Sequence, residues 1–174
     1  MSPLSIVLTL VTAAGAETPP APVPDCPAHA AHASGHGDHA AAVDARGDRA
    51  MGFSHQATTH HFRLTRTGGV IAVSANDPAD AASTEAIRSH LKQVALAFAA
   101  GDFTLPGEIH GQVPPGVPVM KQRRAAVRYL FETTALGGQV VITTQDAKAV
   151  EAVHAFLRFQ IADHRTGDDP SPQP

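Results

Sequence analysis

The strongest constraint on the fold is a pattern that occurs twice. HHFRLTRTGGVIAVSAND and AVRYLFETTALGGQVVITTQD each carry an alternating stretch into a Gly-Gly pair and leave it through β-branched residues toward an aspartate. Phe62 and Leu64 alternate with Arg63 and Thr65 in the first; Val127, Tyr129 and Phe131 occupy alternate positions in the second. Period-two alternation around a glycine pair predicts a β-hairpin in each copy, turning at Gly68-Gly69 and at Gly137-Gly138. A helical stripe follows each hairpin. Ile87, Leu91, Val94 and Phe98 recur until Gly101, and Val150, Val153, Leu157 and Ile161 recur to about His164, with Gly167 beyond. Asp77 with Pro78, and Asp146, are the expected helix caps.

The two copies align. A displacement of 69 positions sets Phe62 on Phe131, Gly68-Gly69 on Gly137-Gly138, Val73 on Ile142 and Asp77 on Asp146. Three residues then drop out, and a displacement of 66 sets Glu85-Ala86-Ile87 on Glu151-Ala152-Val153 and Leu91 on Leu157. Duplication and two independent amphipathic units both account for this, and both lead to one architecture. The expected fold is α+β: two ββα units forming a four-stranded antiparallel sheet with two helices on one face. Strand parity then sends His60, Phe62 and Leu64 toward the helices and His61, Arg63 and Thr65 outward. Arg128 and Glu132 share the outward parity on the third strand, so Arg63 and Arg128 are candidates to hold a small anion on an open polar face.

This domain is expected over residues 50–168, between segments of other character. Residues 1–16 carry an apolar run from Leu4 to Val11 and end in Ala14-Gly15-Ala16, the form of a cleavable secretion signal, although no Lys or Arg precedes the run. That implies a periplasmic or secreted protein. The run is too short to span a bilayer, and no other candidate span occurs. Residues 17–49 are rich in Ala, Pro, Gly and His with almost no large apolar side chain, a composition expected to form a disordered linker; residues 169–174 are expected to be a disordered tail. The Arg46-Gly47-Asp48 triplet in the linker is read as chance. With one cysteine, Cys26, the chain has no intramolecular disulfide. The net charge of -3 gives no electrostatic case for a nucleic-acid partner.

Eleven histidines are many for 174 residues. One set, His29, His32, His36 and His39 with Cys26, is spaced so that a flexible chain could fold several donors onto one ion; neutral imidazole and thiolate suit copper or zinc. The bland alternative is a plain spacer. The second set lies in the domain: His55, His60, His61, His90, His110, His154 and His164, with Met51 and Met120 as thioether donors. No pair has a diagnostic ligand spacing, and each histidine taken singly reads more readily as a surface or hydrogen-bonded residue. His60, His61 and His110 are the expected metal ligands of the domain, His110 because it sits in the proline-rich crossover LPGEIHGQVPPGVPVM. A nucleophile elbow, a phosphate loop and a dinucleotide fingerprint are all missing from the sequence, which favours a binding protein over an enzyme.

The segments RGDRAMGFSHQATTHHFRL, AGDFTLPGEIHGQVPPGVPVM and AVHAFLRFQIADH resemble a family of small exported bacterial proteins, over residues 46–168. The resemblance implies export and carries no activity, cofactor or site residue. An aspartate carbamoyltransferase reading is rejected, since that enzyme needs two α/β domains and a Ser-x-Arg-Thr loop, and only Thr65-Arg66-Thr67 comes near it here. Three functional readings follow. The first is an exported metal-associated binding protein for copper or zinc; the second is a module using the open sheet face for a small anion or a protein partner. The third is a small hydrolase or isomerase around Asp102, Glu108 and His110.

Overall fold

The structure is a computed structural model that describes residues 27–174, with side chains from residue 37 onward. The expected signal segment and Cys26 lie outside the described residues, as do the side chains of His29, His32 and His36. In chain order the elements are helix α1 (Pro27–Met51), strands β1 (Thr58–Thr65) and β2 (Gly68–Ala75), and helix α2 (Ala81–Ala100). Short helices α3 (Thr104–His110) and α4 (Val117–Gln122) follow, then β3 (Val127–Thr134), β4 (Gly137–Thr144) and helix α5 (Ala147–Asp163).

The fold is α+β, with helices packed on a four-stranded antiparallel sheet of order β1-β2-β4-β3. Alternation decides which face is covered: Phe62, Leu64, Ile71, Val73, Val140 and Ile142 are buried under α2 and α5. The hairpins close through Thr65 opposite Gly68 and Thr134 opposite Gly137, so the turns are Arg66-Thr67 and Ala135-Leu136, not the glycine pairs. The glycines instead open the return strands, where backbone crosses close to backbone. A Cβ on Gly68 would lie 2.1 Å from the Ile142 carbonyl oxygen, and one on Gly137 2.3 Å from that of Val73.

The helix caps also correct the expectation. Asp80 accepts from Ser83 N at the start of α2, and Asp146 accepts from Ala149 N at the start of α5. Asp77 is spent in the preceding turn, on Ala79 N. The three additional residues of the first copy therefore precede its cap, and the displacement of 66 already holds at Asp80 and Asp146. Gly101 ends α2 in the left-handed conformation, as expected.

A pseudo-twofold axis relates the units. Gly68 pairs with Thr143 and Ser74 with Gly137, so the β2–β4 register maps onto itself under the displacement of 69, about the Ile71–Val140 pair. Each helix crosses the axis: α2 lies mainly over β4 and β3, and α5 mainly over β1 and β2. Each ββα unit thus covers the other's hairpin, and neither buries its own apolar face alone.

Two segments expected to be disordered are ordered in the structure. Residues 27–49 belong to α1. Alanine is the best helix former, and Val43, Gly47 and Met51, four apart, supply one inward stripe on which Val43 is fully buried. Polar ties complete the docking: Arg46 Nε donates to Ile109 O at 2.7 Å, Arg165 pairs with Asp44 at 2.8 Å, and His39 meets Asp163 at 2.9 Å. The Arg46-Gly47-Asp48 triplet is therefore part of the packing. At the other end, Gln173 N donates to Leu64 O and bridges in parallel to Thr65, so the tail guards the β1 edge. Among the described residues no helix is long and apolar enough to cross a membrane.

Candidate functional site

The pseudo-twofold axis exposes one difference between the halves. Under it Phe98 of α2 corresponds to His164 at the end of α5, Phe156 of α5 to His90 of α2, Val94 to Gln160, and Tyr129 of β3 to His60 of β1. On one side these positions build an aromatic cluster. Phe98 meets Tyr129 edge-on at 5.7 Å between ring centres and Phe156 edge-on at 5.9 Å, with Phe103 stacked on Phe98 at 4.4 Å. The matching positions hold imidazoles, which together with Phe98 and Phe156 wall a cavity of about 70 Å³.

His60 and His164 stack with ring centres 5.6 Å apart and planes 3° apart, and His110 meets His164 edge-on at 5.0 Å. His90 packs edge-on against Phe53. Apart from Gln160 the remaining walls are apolar, among them Leu91, Leu105, Pro106 and Ile109, and no Asp or Glu lines the space. Met51, His60 and His164 also line a second, more polar pocket of about 200 Å³ that includes Asp44, His55, Thr59 and Arg165. The five sequence segments that meet here, around residues 51–62, 71–73, 90–98, 105–110 and 156–164, span most of the domain.

Burial keeps three of the imidazoles neutral. It holds the pKa of His60 down to about 4, with His90, His55 and His61 nearby adding to the effect. The same cause lowers His90 to about 4, and it lowers His164 to about 3 with His60 and His110 contributing. Among the described residues the His60 Nε2 and Gln160 Nε2 atoms are buried without a hydrogen-bond partner, and so is the hydroxyl of Tyr129, the counterpart of His60. An unpaired buried nitrogen costs about 1–3 kcal/mol, so the cluster is a site the fold supports at some expense. Gly47 leaves room for it: a Cβ there would stand 3.2 Å from the Met51 methyl.

The expected ligand trio is not brought together. His60 faces the helices, whereas His61, one residue on along a regular strand, lies on the opposite face with its Nδ1 2.8 Å from Asp168 Oδ1. His110 is 2% exposed and lines the cavity, but both ring nitrogens are engaged, Nδ1 with Asp163 at 2.5 Å and Nε2 with Gln160 at 3.0 Å. It fastens α3 to α5. His39 is tied to the same Asp163. Among the described residues no three His, Cys, Asp or Glu side chains are arranged to hold one ion.

The anion and enzyme groupings are also separated. Arg63 and Arg128 stand on the two edge strands, three strand spacings of about 4.8 Å apart. Arg63 is linked through Gln139 toward Glu132, and Leu130, 57% exposed, lies between them on the uncovered face. Asp102 caps Thr104 N, Glu108 lies beside Arg46 and Arg49, and the carboxylate that meets His110 is Asp163, so the expected acid–base trio does not form. His154 donates or accepts nothing toward the cavity; its Nε2 meets Thr65 O at 2.8 Å. Met120, the other thioether, is fully buried in the core.

His90 and His164 are the site residues that inspection of single histidines passed over, whereas Met51 was among the thioether donors expected from the sequence. The signal for the two histidines was in the repeat: extending the displacement of 66 sets His90 on Phe156 and Phe98 on His164. Comparisons with protein-family models, curated proteins and solved structures return no match for this chain.

Proposed function

We propose that the protein is an exported metal-associated binding protein for copper or zinc. The N-terminal histidines with Cys26 collect the ion, and the cavity walled by His60 and His164 receives it. One observation carries this reading: a duplicated fold that packs Phe98 on Tyr129 and Phe156 presents His164, His60 and His90 at the matching positions, where they line a cavity. Replacing packed aromatics by neutral, hydrogen-bond-poor imidazoles lowers stability, and a ligand that binds nitrogen lone pairs offsets that loss. The apolar run from Leu4 to Val11 supports export.

The test is elemental analysis of the mature protein purified without an affinity tag or chelator. Copper or zinc at about one equivalent or more is expected. No metal as purified, together with no uptake tighter than about 10 μM on reconstitution, refutes the reading.

A further inference from the structure

We propose that the outer edge of β3 binds a second copy of this chain: two β3 strands pair antiparallel about a twofold axis, in the register that sets Leu130 on the partner's Leu130.

The two edges of the sheet differ. On β1 the outward backbone groups are covered, the Phe62 N–H by Asp168 and the Leu64 carbonyl by Gln173 N, and Gln173 bridges to Thr65. The displacement of 69 carries Phe62 onto Phe131 and the closing pair Thr65–Gly68 onto Thr134–Gly137, so the β3 groups that point away from β4 belong to Tyr129 and Phe131. Among the described residues no strand, tail or side chain bonds to them. The strand runs for eight residues without proline, lysine or bulge, and its Leu130 is 57% exposed. Such an edge is a template for another strand.

Charge complementarity selects the occupant and the register. With Leu130 on the partner's Leu130, Arg128 stands opposite the partner's Glu132 and Glu132 opposite the partner's Arg128. Tyr129 meets the partner's Phe131, and twofold symmetry repeats the pair. Burial alternates along β3, with Arg128, Leu130 and Glu132 exposed on the uncovered face and Tyr129 and Phe131 half-buried toward the helices, so every pairing joins like faces. One face gains two ion pairs around an apolar contact, and the other gains two aromatic pairs. Tyr129 and Phe131 exchange backbone N–H and C=O bonds across the seam. Both charges are free to pair. The arginine ion pairs among the described residues are those of Arg88, Arg123 and Arg165, and Glu132 receives Gln139 Nε2 on one carboxylate oxygen, at 2.8 Å, leaving the other open. Moving the register by two residues either way sets Leu130 against Arg128 or against Glu132 and loses both ion pairs.

The experiment uses the full chain with Cys26→Ser, in buffer containing a chelator, so that neither a thiol nor a metal bridges two copies. Sedimentation equilibrium is expected to show a monomer–dimer transition with a Kd on the order of 10–100 μM, as for a small interface. Arg128→Glu and Glu132→Arg, each alone, set like charges opposite one another and should weaken the dimer at least about 10-fold. Mixing the two variant chains, or combining both changes in one chain, restores opposite charges and should restore the affinity. Leu130→Cys is expected to give a disulfide-linked dimer on mild oxidation, because a non-hydrogen-bonded antiparallel pair brings the two Cβ atoms within bridging distance. Amide exchange at Tyr129 and Phe131 should slow as the protein concentration rises. A chain that stays monomeric at about 1 mM overturns the proposal, as does a dimer indifferent to both charge changes. Protection of Tyr129 and Phe131 that does not vary with concentration gives the edge to another segment of the same chain and overturns it too.

Discussion

His164 stands on α5 where the pseudo-twofold axis sets Phe98 on α2, and each stacks or packs against the matching residue of the opposite edge strand, His60 and Tyr129. The two contacts have nearly the same ring separation, 5.6 and 5.7 Å, and opposite chemistry. One joins two large carbon rings and buries a single hydroxyl, and the other sets two imidazoles against each other.

His164→Phe is therefore expected to stabilise the metal-free protein. The change removes a desolvated imidazole and supplies the ring that the other half uses. A gain of about 1–2 kcal/mol in urea unfolding is expected. A loss of stability on this substitution would mean that the imidazole is held by interactions the fold needs.

How far the sequence carried this site depends on the residue. The hairpins, the two long helices and the inward parity of His60 were legible because period-two and helical patterns are local. The cap of α2 was misplaced because Asp77 and Asp80 both precede the helix, and only packing decides between them. The helix over residues 27–51 was missed because its docking rests on Val43, Met51 and the polar side chains of His39, Asp44 and Arg46 rather than on an apolar stripe dense enough to read. His110 was flagged for its loop position, yet its partners Asp163 and Gln160 lie 50 or more positions away and no pattern announces them. His164 was legible only through the repeat.

Acid should destabilise the metal-free protein before its carboxylates titrate. His60, His90 and His164 have folded pKa values held near 4, 4 and 3 by burial, below the ordinary 6.5. The unfolded chain therefore binds more protons than the native one between 6.5 and those values. Stability is fully present above about pH 6.5 and falls as the pH drops through this window. Asp163 acts lower down: its carboxyl is buried, but bonds from His110 and His39 outweigh that and hold its pKa below 3.8. The urea midpoint is expected to fall from pH 7.5 to pH 5, and His90→Phe should flatten the slope. An unchanged midpoint across this range would contradict neutral burial of the three rings.

Asp168 fastens the C-terminal tail to the β1 edge. Its carboxylate takes the Phe62 N–H at 2.8 Å, His61 Nδ1 at 2.8 Å and the Thr166 hydroxyl at 2.8 Å. Asp168→Ala leaves the Phe62 N–H without its partner and should cost about 1–3 kcal/mol. Hydrogen exchange at Phe62 and at Gln173 should then accelerate together, since both sit on the same edge. Acceleration at Gln173 alone would assign the tail's order to its own turn instead.

Gly68 and Gly137 give the sharpest test of the pseudo-symmetry. Each opens a return strand, and a Cβ on either would meet a carbonyl oxygen of the neighbouring central strand at 2.1 or 2.3 Å, a distance no flexible side chain can relieve. The atoms struck, on Ile142 and Val73, are themselves symmetry equivalents. Alanine at either position must therefore separate β2 from β4, the pairing that joins the two units. Because each helix covers the other unit's hairpin, a local loosening there cannot stay within one unit. Gly68→Ala and Gly137→Ala are each expected to cost more than about 3 kcal/mol, with similar denaturation profiles and a single cooperative transition. If one substitution were tolerated and the other not, the β2–β4 seam would be asymmetric in energy despite its symmetric register.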